Sequence, residues 1–366
     1  MLKRVLDIWH WELNSQRARW IVQLSFLLVA ILIGYKFYLF VLYCESGGTA
    51  EFVERPPGIE AFLPIGALMG IKYFMVTGSI DPLHPAGFVI LSTILLSAFL
   101  FGRGFCSWMC PVGTFSEWLW RAGDKVLGRN FRLPTPLDWS LRGLKYLILL
   151  FFICQILIKF DSSFLAETFY KHVPYIRVAD VQMMQYFLNI DRPTLITLGV
   201  LVGLSFVTKN FWCRYLCPYG AFLALLWYNN PLSLRVVRNA GKCIDCGACT
   251  EACPVLLDVM HTQVVTSPEC WHCYDCIKVC PSSGALEMKV AGRRWDVRYW
   301  IYAFVIIGFF VGMTSLAKYK GHWQTSITTE EYIARVAELN DPKYKDKYKH
   351  KRGKFIVEDP SDAPPF

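Results

Sequence analysis

The chain has 366 residues, of which 54% are hydrophobic and only 18% are charged. A soluble protein of this size carries about a quarter of charged residues, so the composition excludes an ordinary soluble globular domain and indicates an integral membrane protein. The net charge of +9 does not indicate nucleic-acid binding, because the basic residues flank apolar segments instead of forming one stripe.

Five apolar runs predict membrane helices, because a helical crossing needs roughly 20 apolar residues. The predicted helices cover about 20–42, 86–102, 143–158, 194–208 and 299–317. The first four belong to a predicted membrane domain, residues 1–235, and the fifth lies in residues 293–317, ahead of a tail of residues 318–366. The predicted fold class is thus an α-helical integral membrane protein with about five transmembrane helices.

The distribution of Lys and Arg in the short loops predicts how these helices are oriented in the bacterial cytoplasmic (inner) membrane. The N-terminal segment and the loop after the second helix are rich in basic residues, whereas the 44–85 loop has only Arg55 and Lys72. The N-terminus and residues 209–298 are therefore predicted inside, the 44–85 and 159–193 loops outside, and the C-terminal tail in the periplasm.

The tail is predicted to contain one short helix. Thr328 and Glu331 have the spacing of a capping box ahead of the segment Tyr332–Leu339. A basic run follows at 343–352, and the Pro- and Asp-rich end, 358–366, is predicted to be disordered or ordered by a partner.

An internal repeat lies within the predicted membrane domain. Residues 105–115 read FCSWMCPVGTF, and residues 212–222 read WCRYLCPYGAF. Each copy follows a helix that is predicted to run from outside to inside. The copies are therefore parallel, which suggests a pseudo-two-fold axis along the membrane normal.

Four cysteines of this repeat are candidate metal ligands: Cys106, Cys110, Cys213 and Cys217. Their i, i+4 spacing predicts that both thiols of a copy lie on one helix face. Because the copies are parallel, all four sulfurs can meet at the cytoplasmic end of the helices and bind a third iron–sulfur cluster or another soft metal. Two reversible dithiol pairs, or buried structural thiols, are open alternatives.

Two further cysteine runs, at 243–254 and 270–281, have the C-x2-C-x2-C-x3-C-P spacing of bacterial ferredoxins. In that arrangement three cysteines of a run bind one cubane and the fourth binds the other. The predicted ligands are Cys243, Cys246, Cys249 and Cys280 for cluster 1, and Cys253, Cys270, Cys273 and Cys276 for cluster 2. Residues 236–292 are therefore predicted to be an inserted 2[4Fe–4S] ferredoxin domain.

Other metal sites fit the sequence less well. Structural zinc is commonly bound by separated pairs of ligands, and gives no reason for two four-cysteine runs that each end in proline. No haem is predicted, since the chain has no Cys-x-x-Cys-His motif and no histidine inside a predicted span. His272 lies within a complete run and is interpreted as a surface or cluster-adjacent residue, and Cys44 and Cys154 as small apolar residues.

At these four cysteine motifs the sequence resembles the NapH-type membrane ferredoxins, which are quinol-dehydrogenase subunits. It is also similar to the wider group that includes the NosR membrane region and the CcoG oxidase-assembly proteins. The resemblance covers about residues 20–317 and includes the outer-loop segments 55–64 and 81–87. It implies electron transfer between the quinone pool and a multihaem c-type cytochrome or periplasmic oxidoreductase subunits.

A quinol site needs an apolar slot with a proton acceptor near the membrane surface. His84 in the outer loop is the predicted acceptor, because the unperturbed pKa of histidine suits that role, and Glu60 is predicted to share the site. The alternative is that these residues only shape the loop.

Two other functions are open. A cupric reductase of the CcoG type would serve oxidase assembly, although the chain has no Met-rich or His-rich copper run. A redox-sensing membrane protein would use its clusters to signal a redox state and not to pass electrons on. Reduction of the clusters by a quinol analogue separates electron transfer from sensing.

Overall fold

The computed structural model describes residues 2–230, 233–290 and 295–341. Within these ranges the chain is mainly helical, with one two-stranded antiparallel sheet. The basic run at 343–352 and the chain end at 358–366 lie outside the described residues.

The α-helices are, in chain order, α1 Leu2–Glu45, α2 Pro64–Thr77, α3 Pro85–Phe101, α4 Gly104–Trp108, α5 Pro111–Leu127, α6 Thr135–Ile153, α7 Ser162–Phe164, α8 Tyr170–His172, α9 Pro174–Arg177, α10 Ala179–Leu188, α11 Arg192–Val207, α12 Pro218–Tyr228, α13 Ala248–Ala252, α14 Asp275–Lys278, α15 Tyr299–Tyr319 and α16 Thr329–Asn340. Helical turns of the 3₁₀ type cover Pro57–Phe62 and Ala240–Lys242, and π-helical turns cover Cys154–Lys159, Leu165–Phe169 and Trp212–Leu216. The strands are β1 Leu234–Arg238 and β2 Leu286–Val290.

Three described segments are long and apolar enough to cross a membrane: Gln16–Glu45, Thr135–Ile158 and Tyr299–Tyr319. The bent pair α10 and α11 is a fourth candidate if it counts as one span, while α2 and α3 are shorter apolar helices. The five predicted spans lie in α1, α3, α6, α11 and α15. Their number stays a prediction, because α3 and α11 are short for a full crossing.

Helix α6 begins before the apolar run that predicted it. Its first turn contains Asp138, which pairs with Arg142 one turn later at 2.5 Å. Such an i, i+4 pair lets charged residues continue the helix beyond the apolar segment.

The chain divides into two compact units. The first, here named the cysteine-rich unit, comprises Met1–Val29, Ile94–Leu150 and Pro193–Val311. The second, here named the ion-paired unit, comprises Ala30–Thr93, Phe151–Arg192 and Gly312–Phe366.

In the cysteine-rich unit, β1 pairs with β2 so that Leu234 lies opposite Val290 and Arg238 opposite Leu286. The pairing brings together the two ends of the segment that contains the ferredoxin-like runs. The buried core of this unit includes Trp108, Trp271 and Tyr302 beside several of the cysteines.

In the ion-paired unit, α16 packs against both predicted outer loops. The Thr328 side chain accepts a hydrogen bond from the Glu331 amide at 3.2 Å, which confirms the predicted cap. The Tyr332 hydroxyl donates to Asp180 at 3.1 Å, and its ring lies 5.6 Å from the guanidinium of Arg55. The Glu331 carboxylate accepts from Arg177 at 2.7 Å.

Candidate functional site

The eight ferredoxin cysteines are brought together in two groups. Cys243, Cys246, Cys249 and Cys280, here named the first ferredoxin set, line one cavity. Cys253, Cys270, Cys273 and Cys276, the second ferredoxin set, line another. The fourth cysteine of each run thus lies with the first three of the other run. The two sets adjoin, since Cys249 is among the charged neighbours of Cys276.

The loops that carry these cysteines have the same backbone geometry. The residues on either side of the second cysteine in each run have positive φ: Asp245 (50°) and Gly247 (75°), then His272 (53°) and Tyr274 (64°). Left-handed residues alternating along a loop turn successive N–H groups inward, which forms the concave anion sites found around iron–sulfur clusters. Both loops therefore fit a cubane bound by thiolates.

A single metal ion fits the same residues poorly. Across the described residues, no three His, Cys, Asp or Glu side chains converge as ligands of one ion. The crossed grouping of four cysteines around each cavity instead agrees with the ferredoxin arrangement.

The two sets have different surroundings. Cys246 of the first set is exposed, and Ile244 beside it is 65% exposed. In the second set, Cys253 and Cys276 are buried, and Trp271 and Met288 line the same cavity. His272, between the cysteines of this run, is buried and lines the same cavity, so of its two interpretations the surface one is wrong and the cluster-adjacent one agrees with the structure. Its Nε2 hydrogen-bonds to the Leu234 carbonyl at 2.9 Å.

The repeat cysteines, Cys106, Cys110, Cys213 and Cys217, do not lie in pairs on one continuous helix face, which corrects the sequence expectation. Helix α4 ends at Trp108, and Cys110 is extended (φ −71°, ψ 118°) ahead of Pro111, the first residue of α5. Cys217 is likewise extended ahead of Pro218. A residue before proline avoids the helical region, so each second cysteine breaks the helix and begins the next one.

The four sulfurs nevertheless lie close together. Burial raises the pKa of the Cys213 thiol, and the nearby Cys217, Cys110 and Cys106 raise it further. Cys217 Sγ accepts a hydrogen bond from the Gly220 amide at 3.3 Å, in the first turn of α12. An anionic sulfur is favoured at a helix N-terminus, where N–H groups are unpaired.

Two glycines make this convergence possible. A Cβ on Gly113 would overlap the carbonyl oxygen of Cys106. A Cβ on Gly220 would lie 3.1 Å from Arg103 Nη2 and 3.8 Å from Cys217 Sγ. In both copies the glycine after the Cys-Pro pair therefore lets the next helix approach the cysteine segment.

The repeat segments hold the loop of the second ferredoxin set through its backbone carbonyls. Arg103 Nη1 donates to the carbonyl of Pro268 at 2.7 Å, and Asn210 Nδ2 donates to that of Pro254 at 3.0 Å. Ser107 and Trp108 donate to the carbonyls of the two residues after Cys270, at 2.8 and 3.1 Å. The second ferredoxin set thus lies beside the repeat cysteines.

A buried carboxylate, Glu269, connects these elements. It accepts from Lys145 at 2.5 Å and Tyr146 at 3.0 Å, and it pairs with Arg103 at 3.4 Å. Burial alone would raise the pKa of Glu269, but the charges of Arg103 and Lys145 lower it to about 2. Glu269 is therefore ionised at every physiological pH.

The predicted quinol residues, Glu60 and His84, lie together in the ion-paired unit and are fully buried. Glu60 accepts from Arg55 Nη1 and from the Gly87 amide, both at 2.9 Å. His84 Nε2 hydrogen-bonds to the Ile176 carbonyl at 2.8 Å, and its Nδ1 lies 3.9 Å from Glu60. Arg55 also binds Asp180, at 2.8 Å.

The surroundings of His84 change its protonation. Burial lowers the pKa of His84, but the Glu60 carboxylate outweighs this and raises it to about 9. The imidazole therefore holds its second proton at neutral pH. The sequence analysis assumed an unperturbed histidine, because the approach of Glu60 across the fold is not visible in the local pattern.

Sequence reasoning missed Arg103, Lys145 and Glu269, although each had a signal. Arg103 stands between two glycines just before Cys106, and Glu269 directly precedes Cys270. Lys145 lies inside a predicted membrane span, where an ionisable side chain by itself suggests a functional site.

Comparison with known proteins agrees with the cysteine geometry. A family model described as a 4Fe-4S binding domain matches residues 83–134 and 193–237, and one described as a 4Fe-4S dicluster domain matches residues 235–293. The first contains all four repeat cysteines, and the second contains both ferredoxin sets. No solved structure gives a significant match to the chain.

Among curated proteins, the chain is 36% identical over 329 residues to "Putative electron transport protein YccM" of Escherichia coli (strain K12), a match covering 88% of this chain and 91% of that protein. It is 28% identical over 210 residues to "Regulatory protein NosR" of Pseudomonas aeruginosa, covering 52% and 26%. It is 29% identical over 215 residues to "Methylamine utilization ferredoxin-type protein MauN" of Methylorubrum extorquens, covering 56% and 63%.

Proposed function

The chain belongs to the family of membrane-associated 4Fe–4S ferredoxin-type electron transport proteins, and we propose that it passes electrons between the quinone pool and a partner redox protein. The observation that carries this proposal is the succession of three four-cysteine groups within one unit. The first ferredoxin set adjoins the second, and the second lies beside the repeat cysteines.

We assign one [4Fe–4S] cluster to each ferredoxin set. The crossed grouping of the cysteines, the two loops of inward N–H groups and the burial of the second set support this assignment. When bound, each cluster takes up or releases one electron. The exposed Cys246 makes the first set the contact point for a soluble partner on the cytoplasmic side.

We assign a third cluster to the repeat cysteines. The residues fit such a group, because four sulfurs converge and two of them stand at the start of a helix. Arg103 supplies buried N–H groups beside them, and the absence of a side chain on Gly220 leaves room there. Two dithiol pairs would not require the cationic side chains that surround these sulfurs.

We assign the quinone site to His84 and Glu60. Oxidation of a quinol releases two electrons and two protons, and reduction of a quinone consumes the same numbers. Because His84 holds a proton at neutral pH beside the Glu60 carboxylate, its Nδ1 can give one of the two protons to a quinone oxygen during reduction, while water supplies the second. In the reverse direction the neutral imidazole takes one proton back and water takes the other. Buried ionisable groups of this kind in a membrane protein suggest a proton pathway.

The proposed topology follows the charge distribution of the loops. The N-terminus and the ferredoxin domain lie in the cytoplasm, and the tail lies in the periplasm. The packing of α16 against Arg55 and Asp180 agrees with this, because it requires the tail helix and both outer loops to be on one side. A NapH-type role, with a multihaem c-type cytochrome or periplasmic oxidoreductase as partner, is the matching physiological assignment.

Iron and sulfide counting on the purified chain tests the number of clusters. We expect about twelve irons per chain, whereas two clusters alone would give about eight. In Cys106→Ser we expect a loss of about four irons, and in the matched variant Cys154→Ser no loss, since Cys154 stands outside all three groups. About eight irons in the unmodified chain would contradict the third site.

Reduction of the clusters by a quinol analogue in membranes tests the quinone site. We expect His84→Ala to slow this reduction at least tenfold and His322→Ala, at an exposed histidine, to leave it unchanged. Equal rates in both variants would remove His84 from the site. If copper salts but not quinones exchange electrons with the clusters, the protein is a cupric reductase instead.

A further inference from the structure

Arg103 places one buried guanidinium between the second ferredoxin set and the repeat cysteines. We propose that Arg103 donates N–H···S hydrogen bonds to the cluster held by the repeat cysteines and thereby sets its reduction potential above that of an otherwise identical site. This inference rests on the proposed third cluster and names the residue that tunes it.

One edge of the guanidinium is held firmly. Its Nη1 donates to the Pro268 carbonyl at 2.7 Å and lies 3.4 Å from Glu269, next to Cys270 of the second ferredoxin set. The backbone on both sides of Arg103 is equally constrained. A Cβ on Gly102 would overlap the ring of His272, and one on Gly104 would overlap the hydroxyl of Tyr302. The backbone that carries Arg103 therefore lies close against His272 and Tyr302 on either side.

The other edge points to sulfur. Arg103 has no solvent exposure, and its Nε and Nη2 have no hydrogen-bond acceptor among the described residues. Nη2 and Cys217 Sγ both lie within 4 Å of the position that a Cβ on Gly220 would take, and Cys106 is a further close charge partner of the guanidinium. A buried N–H group without an acceptor is unfavourable, so a sulfur acceptor at this edge accounts for its orientation.

The charges around this edge favour the same role. Arg103 and Lys145 are two buried cations that share one carboxylate, Glu269, so a net positive charge remains beside the thiol groups. Positive charge and N–H···S hydrogen bonds both stabilise the reduced form of a cluster, which carries one more electron, and so raise its potential.

The second copy of the repeat has no arginine at the position that corresponds to Arg103. The residue three positions before its first cysteine is Asn210, whose Nδ2 binds the Pro254 carbonyl. Both copies therefore hold the second ferredoxin loop. The buried arginine of the second copy, Arg214, also has Nε and Nη1 without an acceptor among the described residues, but it forms an ion pair with Asp138 at 2.7 Å. Arg103, by contrast, is among the close charge partners of both Cys106 and Cys217.

The test uses the full-length chain and two readouts, iron content and a potentiometric titration followed by electron paramagnetic resonance. The signal of the third cluster is the one that Cys106→Ser removes. We expect Arg103→Lys to keep the full iron content and to lower the midpoint potential of that signal alone. At the midpoint potential of the unmodified chain, the reduced-to-oxidised ratio of the third cluster should then fall about tenfold. This corresponds to about 59 mV for a one-electron couple.

The matched control is Arg214→Lys, which changes another buried arginine beside a repeat cysteine and should leave all midpoints unchanged. If Arg103→Lys does not accumulate, Arg103→Gln is judged by the same criteria. Unchanged midpoints at full iron content overturn the role of Arg103, as does an equal shift in the Arg214→Lys control. About eight irons in the unmodified chain overturn the third cluster itself, so the two failures are distinguishable.

Discussion

The two units both bury charged side chains, but they satisfy them differently. In the ion-paired unit, Arg55 binds both Glu60 and Asp180, and protonated His84 faces Glu60, so each of these two carboxylates has a cationic partner. In the cysteine-rich unit, Arg103 and Lys145 share Glu269, and two donors of Arg103 have no acceptor among the described residues.

The difference indicates which unit is built around an added group. A cluster bound by four thiolates is anionic, and the surplus cations of the cysteine-rich unit are suited to it. In the ion-paired unit, Glu60 and Asp180 each face a cation of the same unit, which suits groups that hold and move protons.

Removal of iron should have the largest effect and should separate the two units. The ferredoxin segment has one two-stranded sheet and short helices, so cluster binding supplies much of its folding free energy. In the chelated chain we expect amide hydrogen exchange in 235–290 to rise at least tenfold. Exchange around Glu60 and His84 should stay as it was, and an equal rise in both units would contradict this comparison.

Loss of a single buried carboxylate should have a smaller effect that again differs between the units. Glu269→Gln removes the carboxylate that two buried cations share, so we expect a loss of about 3 to 5 kcal/mol of unfolding free energy. Glu60→Gln should lower the unfolding free energy by less, because Arg55 keeps its ion pair with Asp180. Thermal unfolding in detergent compares the variants, and a larger loss in Glu60→Gln would reverse the interpretation.

The stabilisation that Glu269 provides should depend on pH in a defined way. Because the pKa of Glu269 is lowered to about 2 in the folded chain, its stabilisation is present above the ordinary pKa of glutamate and is lost as the pH falls toward 2. The ionisation of Glu269 itself should therefore make no change, between pH 5 and 7, to the difference in unfolding free energy between the unmodified chain and Glu269→Gln, which thermal unfolding in detergent measures.

The smallest expected effect concerns His84. Its folded pKa, about 9, lies above that of an unfolded histidine, so its stabilisation is complete below about pH 6.5 and is lost as the pH rises through 9. The gap in melting temperature between the unmodified chain and His84→Gln should shrink from pH 7 to pH 10. The exposed His322→Gln should show no such change, and parallel profiles for His84→Gln would exclude a charged imidazole.

Local patterns were enough for several features of this molecule. Apolar runs predicted where the helices α1, α6 and α15 lie, and the Thr328 cap was predicted from two residues three positions apart. The helix-face argument for Cys106 and Cys110 failed, because Pro111 imposes an extended conformation on Cys110. Their sulfurs converge for a different reason, the close approach of helices at Gly113 and Gly220.

The sequence alone predicted which cysteines are candidate thiol ligands, because cysteine spacing within a run is a local property of the chain. The tertiary structure decided what surrounds them. Arg103 meets Glu269, which is 166 positions away, and Glu60 meets His84 only through packing of the outer loops. Such pairs depend on burial and on long-range contacts. The contacts of Arg103 determine the charge beside the sulfurs, and the contact with Glu60 determines that His84 is protonated.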